Sequence, residues 1–190
     1  MINLNKYFLI YGYGISGKSI EKYLNNRNCD YHIYDDYKKI KKKKFINKDY
    51  LLKNIKKYNF FIVSPSIKIE KGHFLYKYKK KILIDLDFLS LELSKQKVIG
   101  VTGTEGKSTT CIYLKDILSK KYNTQIVGNF GNTILENKNL KNLLSKIDIL
   151  IIELSSYQLD KVKFLKLNYA LITNIFSDHL DYHNNLKTIY

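Results

Sequence analysis

Short apolar stretches alternate with amphipathic, lysine-rich stretches along the chain. A brief apolar run bounded by glycine, proline or polar residues is typical of a buried strand, and the amphipathic stretches predict helices that cover a parallel sheet. The pattern therefore favours an α/β fold. A first series predicts strands at residues 7–11, 31–34, 59–63 and 81–84, with helices at 16–26 and 86–93. A second series predicts strands at residues 97–101, 125–127, 147–153 and 169–175, with a helix at 107–120.

Each series opens with a strand, a glycine-rich loop and a helix, which predicts two domains. We expect the first domain at residues 1–94 and the second at residues 95–190, meeting near residues 94–96. The sequence shows neither an internal repeat nor a low-complexity linker.

The charge of the chain invites a nucleic-acid interpretation. Its 190 residues include 33 Lys and Arg against 17 Asp and Glu, giving a formal net charge of +16. However, Arg27 is the only arginine, and the lysines are spread out with no pattern suited to reading bases. Residues with A/T-rich codons dominate, whereas Ala170 and Pro65 are the only residues of their types. A strongly A/T-biased genome explains the charge better, and we expect no specific nucleic-acid partner.

The sequence also bears on location and redox chemistry. No apolar run approaches the ~20 residues of a membrane helix, and Gly12 and Gly14 interrupt the apolar N-terminal stretch that a signal peptide would need. We expect a cytoplasmic monomer without a membrane span. The two cysteines, Cys29 and Cys111, fit neither a disulfide framework nor a zinc site, so we expect plain thiols.

The first glycine-rich loop reads Gly12-Tyr13-Gly14-Ile15-Ser16-Gly17, a G-x-G-x-x-G between a predicted strand and helix. Its glycines permit a tight turn, close approach of a diphosphate and close helix packing, and the helix N-terminus attracts phosphate. An acid, Asp35 or Asp36, follows at about the spacing of a ribose-binding carboxylate. The motif predicts a nucleotide-diphosphate site for NAD or a UDP-sugar, and the alternative is a structural turn.

The second loop carries the strongest chemical signal. It follows a predicted strand and opens a helix, so successive amides can surround a phosphate. Lys107 would neutralise the β- and γ-phosphates and the Ser108 hydroxyl would bind Mg²⁺. The strict motif needs glycine at Val101, so this is a variant loop, and the acid Glu105 is unusual beside phosphates. The candidate ATP-binding residues are Gly103, Thr104, Glu105, Gly106, Lys107, Ser108 and Thr109.

Two further polar stretches follow predicted strands. Glu153 ends a buried strand and predicts a metal-facing carboxylate, while Ser155 or Ser156 predicts a helix N-cap. The stretch Asp-His-Leu-Asp-Tyr-His at residues 178–183 has two histidines four apart, but it lacks the glutamate of a zinc-protease motif. A Mg²⁺- or phosphate-facing His179 is favoured over zinc, with His183 structural.

Together these motifs resemble the Mur ligases, the ATP-dependent amide-forming enzymes of peptidoglycan precursor synthesis. The stretch Glu-Leu-Ser-Ser-Tyr-Gln-Leu is most similar to that of the D-glutamate-adding member, and the G-x-G-x-x-G domain with Ser64-Pro65-Ser66 agrees. The diaminopimelate- or lysine-adding member is an alternative. The matching stretches lie in the family's order at residues 100–110, 128–131, 153–159 and 173–183.

The resemblance implies a fold and a reaction. The fold is a Rossmann-like UDP-binding domain followed by a truncated P-loop-type central ATPase domain, with the C-terminal amino-acid-binding domain absent. The cofactors are ATP and Mg²⁺, and the substrates are UDP-N-acetylmuramoyl-L-alanine and D-glutamate. The substrate carboxylate attacks the γ-phosphate of ATP, and the D-glutamate amine then displaces phosphate from the acyl phosphate.

The resemblance also implies roles for individual residues. Catalysis falls to Lys107, Glu153 and His179, and Mg²⁺ is held by Ser108, Glu153 and His179. In place of the family's asparagine this chain has Glu105. The UDP-substrate would be bound by Gly12, Gly14, Ile15, Ser16, Gly17, Asp35, Asp36, Ser64, Pro65, Ser66, Asn129 and Ser155.

The resemblance covers only the first half of such an enzyme. The family's carbamylated lysine lies past the Asp-His-Leu-Asp stretch, and Lys187 comes too early to match it. We therefore expect these 190 residues alone not to complete the reaction. Folylpolyglutamate synthase shares the ATPase core but is disfavoured by the first glycine loop. A non-catalytic nucleotide-binding module is the alternative from another class, with an NAD-dependent dehydrogenase as its active counterpart.

Overall fold

The computed structural model describes residues 2–128, 134–177 and 182. The first series of elements is β1 (Phe8–Tyr11), α1 (Ile15–Asn25), β2 (Tyr31–Tyr34), α2 (Lys48–Asn54), β3 (Phe60–Val63), β4 (Ile82–Leu83) and α3 (Asp85–Glu92). Their strands form a sheet of order β2-β1-β3-β4, and all its pairings are parallel. Parallel strands joined by helices confirm the α/β prediction for this part of the chain.

The second series of elements is β5 (Lys97–Thr102), α4 (Lys107–Leu118), β6 (Thr124–Gly128), α5 (Leu140–Ser145), β7 (Ile149–Glu153), α6 (Ser156–Lys161) and β8 (Tyr169–Ile172). Their strands form a second sheet of order β6-β7-β5-β8, again with every pairing parallel. The inner strand β7 is buried along its whole length, as expected for a strand covered on both faces. By contrast, β8 is exposed at all four residues.

Each predicted strand is present, with small differences at the ends. The strand predicted at residues 81–84 is shorter, because the Ile84 amide donates to the Asp87 carboxylate at the start of α3. The strand predicted at residues 147–153 begins at Ile149, since the Ile147 amide still donates to Leu144 O at the end of α5. Helices α2 and α5 were not predicted, and both are short.

The strand register brings the loops of each sheet to one edge. Tyr11 lies opposite Tyr34 and Val63, so the loops that follow β1, β2 and β3 emerge side by side. In the second sheet Val101 lies opposite Glu153, which places the loop after β5 beside the end of β7. Parallel α/β sheets bind ligands at this carboxyl edge.

Side chains of the two sheets pack against each other. One hydrophobic cluster contains Phe8 and Ile33 of the first sheet together with Leu150 and Ile152 of the second. Buried Asp87 adds a polar connection, because its Oδ1 accepts the backbone amides of Lys163 at 2.7 Å and Phe164 at 2.9 Å. The domain boundary near residue 94 stays a prediction.

Among the residues described, no helix combines the length and apolar character that crossing a bilayer requires.

Candidate functional sites

The first glycine loop connects β1 to α1 and is packed too tightly for side chains at two of its glycines. Gly12 has φ of 91°, and a Cβ there would lie 2.4 Å from Ser64 Oγ. A Cβ on Gly17 would lie 2.1 Å from Gly12 O. Around Gly14, in contrast, nothing lies within 4 Å of an added Cβ. The backbone at Gly14 is therefore open to an approaching ligand, as the motif predicts.

Asp35 stabilises this loop from the end of β2. Its Oδ2 accepts the Tyr13 amide at 2.6 Å, and its Oδ1 accepts the amides of Tyr37 and Lys38 at 3.0 and 2.9 Å. Desolvation opposes ionisation, but these three backbone hydrogen bonds outweigh it and lower the pKa of Asp35. Asp35 is thus a carboxylate already engaged in shaping the predicted nucleotide loop.

Asp36 faces two tyrosines. Its Oδ2 accepts the Tyr11 hydroxyl at 2.5 Å and its Oδ1 accepts the Tyr34 hydroxyl at 2.6 Å. A pocket of about 650 Å³ opens beside both aspartates. Four lysines contribute to its wall, so it suits an anionic or hydrogen-bonding ligand. The lining residues are 34–36, 38–41 and 45–48.

The loop after β3 closes the other side of the first site. The Ser64 amide donates to Tyr11 O at 2.9 Å, and its hydroxyl donates to Gly12 O at 3.2 Å. Pro65 O accepts Lys161 Nζ from α6 at 2.8 Å. Ser66 is exposed, as is Ile15 at the start of α1, whose exposed fraction is 67%. The predicted UDP-binding residues of the first sheet therefore meet at one edge.

The second glycine loop turns sharply between β5 and α4. Gly103 and Gly106 both have positive φ, 135° and 76°, and α4 begins at Lys107 with Gly106 as its N-cap. A Cβ on Gly103 would lie 2.1 Å from Thr173 Oγ1. The Lys107 side chain folds over the loop, donating to Gly103 O at 2.7 Å and Thr104 O at 2.6 Å. This conformation places an ammonium group where a phosphate loop needs one.

The segment after β8 supports the same loop. The Glu105 amide donates to Asn174 Oδ1 at 2.9 Å, and Glu105 O accepts the Thr173 hydroxyl at 2.6 Å. The Thr104 hydroxyl oxygen accepts the Phe176 amide at 2.9 Å. Since the Glu105 backbone makes these contacts and the residue is exposed, its carboxylate does not need to enter the loop. Thr109 lies exposed in the first turn of α4.

Ser108 and Glu153 come together at the carboxyl edge of the second sheet. The Ser108 hydroxyl donates to Glu153 Oε2 at 2.7 Å, and Glu153 is 2% exposed. A hydroxyl and a carboxylate are oxygen donors of the kind that Mg²⁺ prefers, so this pair fits the predicted ion. Among the described residues no cluster of three or more His, Cys, Asp or Glu could hold a metal, so Ser108 and Glu153 offer a partial set.

Ser155 begins α6 as its N-cap. The Ser155 hydroxyl accepts the Gln158 amide at 3.3 Å, while the Ser155 amide donates to Gln158 Oε1 at 2.9 Å, which forms a capping box. The sequence predicted both a cap and a substrate-facing role for this region. The cap is confirmed at Ser155, and the substrate role stays a prediction.

Other predicted residues lie outside the described part of the chain. These are Asn129, His179 and His183. Both cysteines are buried free thiols, and burial raises the pKa of Cys29 and raises that of Cys111 to about 11. Burial and a raised pKa both favour the thiol over the reactive thiolate, which fits the plain thiols expected from the sequence.

Sequence reasoning did not single out three residues that connect elements around these sites: Asp87, Lys161 and Thr173. Their partners are far away along the chain, and no local motif marks them. Only the Thr-Asn at residues 173–174 gave a signal, as part of a longer matching stretch.

Two glycine-rich loops, each between a parallel strand and a helix, are of the type that binds nucleotides in α/β proteins. The family model of the Mur ligase middle domain matches residues 101–190. The UDP-N-acetylmuramoylalanine–D-glutamate ligase of Francisella philomiragia is 34% identical over 187 residues, covering 94% of this chain and 41% of the relative. That of Francisella tularensis subsp. novicida is 34% identical over 190 residues with the same coverage.

The chain thus spans about two fifths of the length of the curated relatives it matches. A solved structure shows the same fold: UDP-N-acetylmuramate:L-alanyl-gamma-D-glutamyl-meso-diaminopimelate ligase from Neisseria meningitides. It aligns with a TM-score of 0.52 at 16% identity, covering 97% of this chain and 65% of that chain.

Proposed function

We propose that this chain supplies the UDP-substrate-binding and ATP-binding parts of a ligase that adds D-glutamate to UDP-N-acetylmuramoyl-L-alanine. The observation that carries the proposal is the hydrogen bond between Ser108 and Glu153 at the phosphate loop. It occurs in a chain that is 34% identical to relatives named as D-glutamate ligases. An NAD-dependent dehydrogenase does not account for this second loop.

The second loop is proposed to bind the triphosphate. The Thr104 and Glu105 amides already donate to Asn174, so the amides at the α4 N-terminus, residues 106–108, would receive the anionic oxygens. Lys107 would exchange its bonds to Gly103 O and Thr104 O for bonds to phosphate oxygens. Ser108 and Glu153, with His179, would hold Mg²⁺, which would offset the negative charge of the triphosphate.

The first loop is proposed to bind the UDP portion of the substrate. The diphosphate would approach the open backbone at Gly14 and the amides of Ile15 and Ser16. The pocket beside Asp35 and Asp36 would take the nucleoside. With the diphosphate held there, the rest of the substrate would extend toward the ATP loop through Asn129 and Ser155.

This arrangement would bring two anions together. The substrate carboxylate has to reach the γ-phosphate of ATP, and it would form an acyl phosphate that the amine of D-glutamate then attacks, releasing phosphate. Binding of both nucleotides by one chain would supply the orientation, and Lys107 would supply a positive charge. The residues of this chain would thus bind and orient the reactants.

Residues 1–190 alone are proposed to bind these ligands without completing the reaction. The chain covers 41% of the D-glutamate ligases it matches, and the apolar strand β8 is exposed. D-glutamate-dependent phosphate release from the purified chain, supplied with ATP, Mg²⁺ and UDP-N-acetylmuramoyl-L-alanine, would contradict this part of the proposal.

Calorimetric titration with Mg²⁺ and a non-hydrolysable ATP analogue, and separately with UDP-N-acetylmuramoyl-L-alanine, tests the binding roles. Two variants assign the sites. Lys107→Ala should remove binding of the ATP analogue and spare the UDP ligand. Gly14→Asp should do the reverse, because the new side chain has room and suits an N-cap but repels a diphosphate. Loss of both ligands in one folded variant would contradict the assignment.

A further inference from the structure

Lys161 is a buried cation that no sequence motif predicts. It is the last residue of α6, and its side chain is 6% exposed, whereas that of the neighbouring Asp160 is 56% exposed. Nζ donates to Pro65 O at 2.8 Å and to Asp160 Oδ2 at 3.4 Å, and it also hydrogen-bonds the Tyr182 hydroxyl. The three donors of the ammonium therefore all have partners.

Burial of this ammonium is unfavourable on its own. Desolvation lowers the pKa of Lys161 despite the opposing effect of Asp160. Exchange of a whole buried ion pair for apolar side chains of similar volume is often neutral or stabilising, so a buried charge is weak evidence of a stabilising role. Stability alone thus gives a weak reason for a lysine at this position. The hydrogen bond from Lys161 to Pro65 O is a better guide to its role.

Pro65 belongs to the loop at residues 64–66, which borders the first glycine loop. From the side of the first sheet, Ser64 bonds to Tyr11 O and Gly12 O. From the side of the second sheet, Lys161 bonds to Pro65 O. The loop is consequently held between the end of β1 and the end of α6.

Helix α6 connects Lys161 to the second site. The helix is N-capped by Ser155, two residues after Glu153, which accepts the Ser108 hydroxyl. Lys161 therefore attaches the 64–66 loop to the helix that follows the proposed metal-binding carboxylate.

We propose that Lys161 is a positioning residue for the UDP-bearing substrate: its ammonium holds the loop at residues 64–66 against the first glycine loop before the substrate binds. The identity of the ligand rests on the proposed function, but the fixing of the loop does not. Because a loop ordered in advance loses less conformational entropy on binding, removing the contact weakens affinity without any loss of direct ligand contacts.

The test compares Lys161→Met with the wild-type chain. Calorimetry should show about tenfold weaker binding of UDP-N-acetylmuramoyl-L-alanine, since one charge-assisted hydrogen bond is lost. Affinity for the ATP analogue with Mg²⁺ should stay within about twofold. The thermal unfolding temperature should stay within about 5 °C of the wild type, because the substitution removes the cost of burying a cation but leaves Pro65 O without this donor. Lys161→Arg should retain most of the affinity, and exposed Lys166→Met is the matched control.

A second measurement needs no ligand. The amide of Ile67, which donates to Ser64 O at 3.0 Å, should exchange its hydrogen faster in Lys161→Met than in the wild type. If Lys161→Met does not fold, Lys161→Gln replaces it in both experiments. Unchanged exchange at Ile67, or unchanged UDP-ligand affinity in a wild-type chain that binds this ligand, would overturn the proposal. A wild-type chain that binds no UDP ligand would instead overturn the proposed function, and the exchange result would still decide the role of Lys161.

Discussion

The Ser108 hydroxyl donates a hydrogen bond of 2.7 Å to Glu153 Oε2, across 45 residues of sequence. The contact exists because β5 and β7 are adjacent parallel strands in register, with Val101 opposite Glu153. The loop after β5 then turns at Gly103 and delivers Ser108 into the first turn of α4. Sheet register thus places the hydroxyl and the carboxylate of the proposed magnesium site.

Glu153→Gln tests that site. The variant keeps the shape of the side chain and a hydrogen-bonding oxygen but removes the charge that would attract Mg²⁺. We expect the Mg²⁺-dependent gain in affinity for a non-hydrolysable ATP analogue to fall about tenfold. Titrations with and without Mg²⁺ measure this gain. Exposed Glu136→Gln is the control, and an unchanged Mg²⁺ effect in folded Glu153→Gln would argue against the site.

Gly103→Ala tests the geometry of the phosphate loop. A Cβ at this position would lie 2.1 Å from Thr173 Oγ1, and φ of 135° is unfavourable for alanine. We expect a loss of about 2–4 kcal/mol in the free energy of unfolding. Gly14→Ala is the matched control, since its Cβ meets nothing within 4 Å, and it should cost less than about 1 kcal/mol. Urea unfolding compares the two, and equal losses would contradict the described loop.

Asp87→Asn tests the polar connection between the two sheets. Buried Asp87 accepts the amides of Ile84, Lys163 and Phe164, and an amide side chain has only one acceptor oxygen for these donors. We expect a loss of about 2–3 kcal/mol in the free energy of unfolding.

The control for Asp87 is Asp148→Asn, in which an exposed carboxylate accepts the single backbone amide of Asn123. Its loss should stay under about 1 kcal/mol. A similar, small loss in both variants would mean that Asp87 does not join the sheets energetically.

Two aspartates should give opposite pH dependences. The pKa of Asp35 is lowered because its three backbone hydrogen bonds outweigh desolvation. Its stabilising contribution is present above the unfolded-state pKa and is lost as the pH falls through the folded-state pKa. The pKa of Asp85 is raised by desolvation, which outweighs the hydrogen bond from Ser16. As the pH rises above the unfolded-state pKa, Asp85 therefore reduces stability.

Difference curves isolate these effects. The free energy of unfolding is measured from about pH 3 to pH 8 for the wild type, Asp35→Asn and Asp85→Asn. The free energy of unfolding of the wild type minus that of Asp35→Asn should increase with pH. The corresponding difference for Asp85→Asn should decrease with pH. Two slopes of the same sign would contradict the environments described for these carboxyl groups.

Much of the fold follows from local sequence. Buried strands such as β7 are short apolar runs, and the glycine loops mark the start of α1 and α4. The short helix α5 was missed because six residues carry little periodic signal. Strand ends shifted by a few residues where side chains such as Asp87 compete for backbone amides.

The candidate sites were predictable only as separate pieces. The sequence indicated that Lys107, Ser108 and Glu153 carry phosphate and metal chemistry, but their proximity depends on strand order. Lys161 resembles any surface lysine at a helix end, yet it is buried and donates to Pro65 O, 96 residues away. Contacts of this range leave no mark in a local pattern.

The most direct test of the proposed function is a calorimetric comparison of two UDP ligands on the wild-type chain. UDP-N-acetylmuramoyl-L-alanine is the acceptor of a D-glutamate-adding ligase, whereas UDP-N-acetylmuramoyl-L-alanyl-D-glutamate is the acceptor of a diaminopimelate- or lysine-adding ligase. We predict saturable binding of the first ligand that is at least about tenfold tighter than binding of the second. Preferential binding of the second ligand, or binding of NAD with neither UDP ligand, would contradict the account.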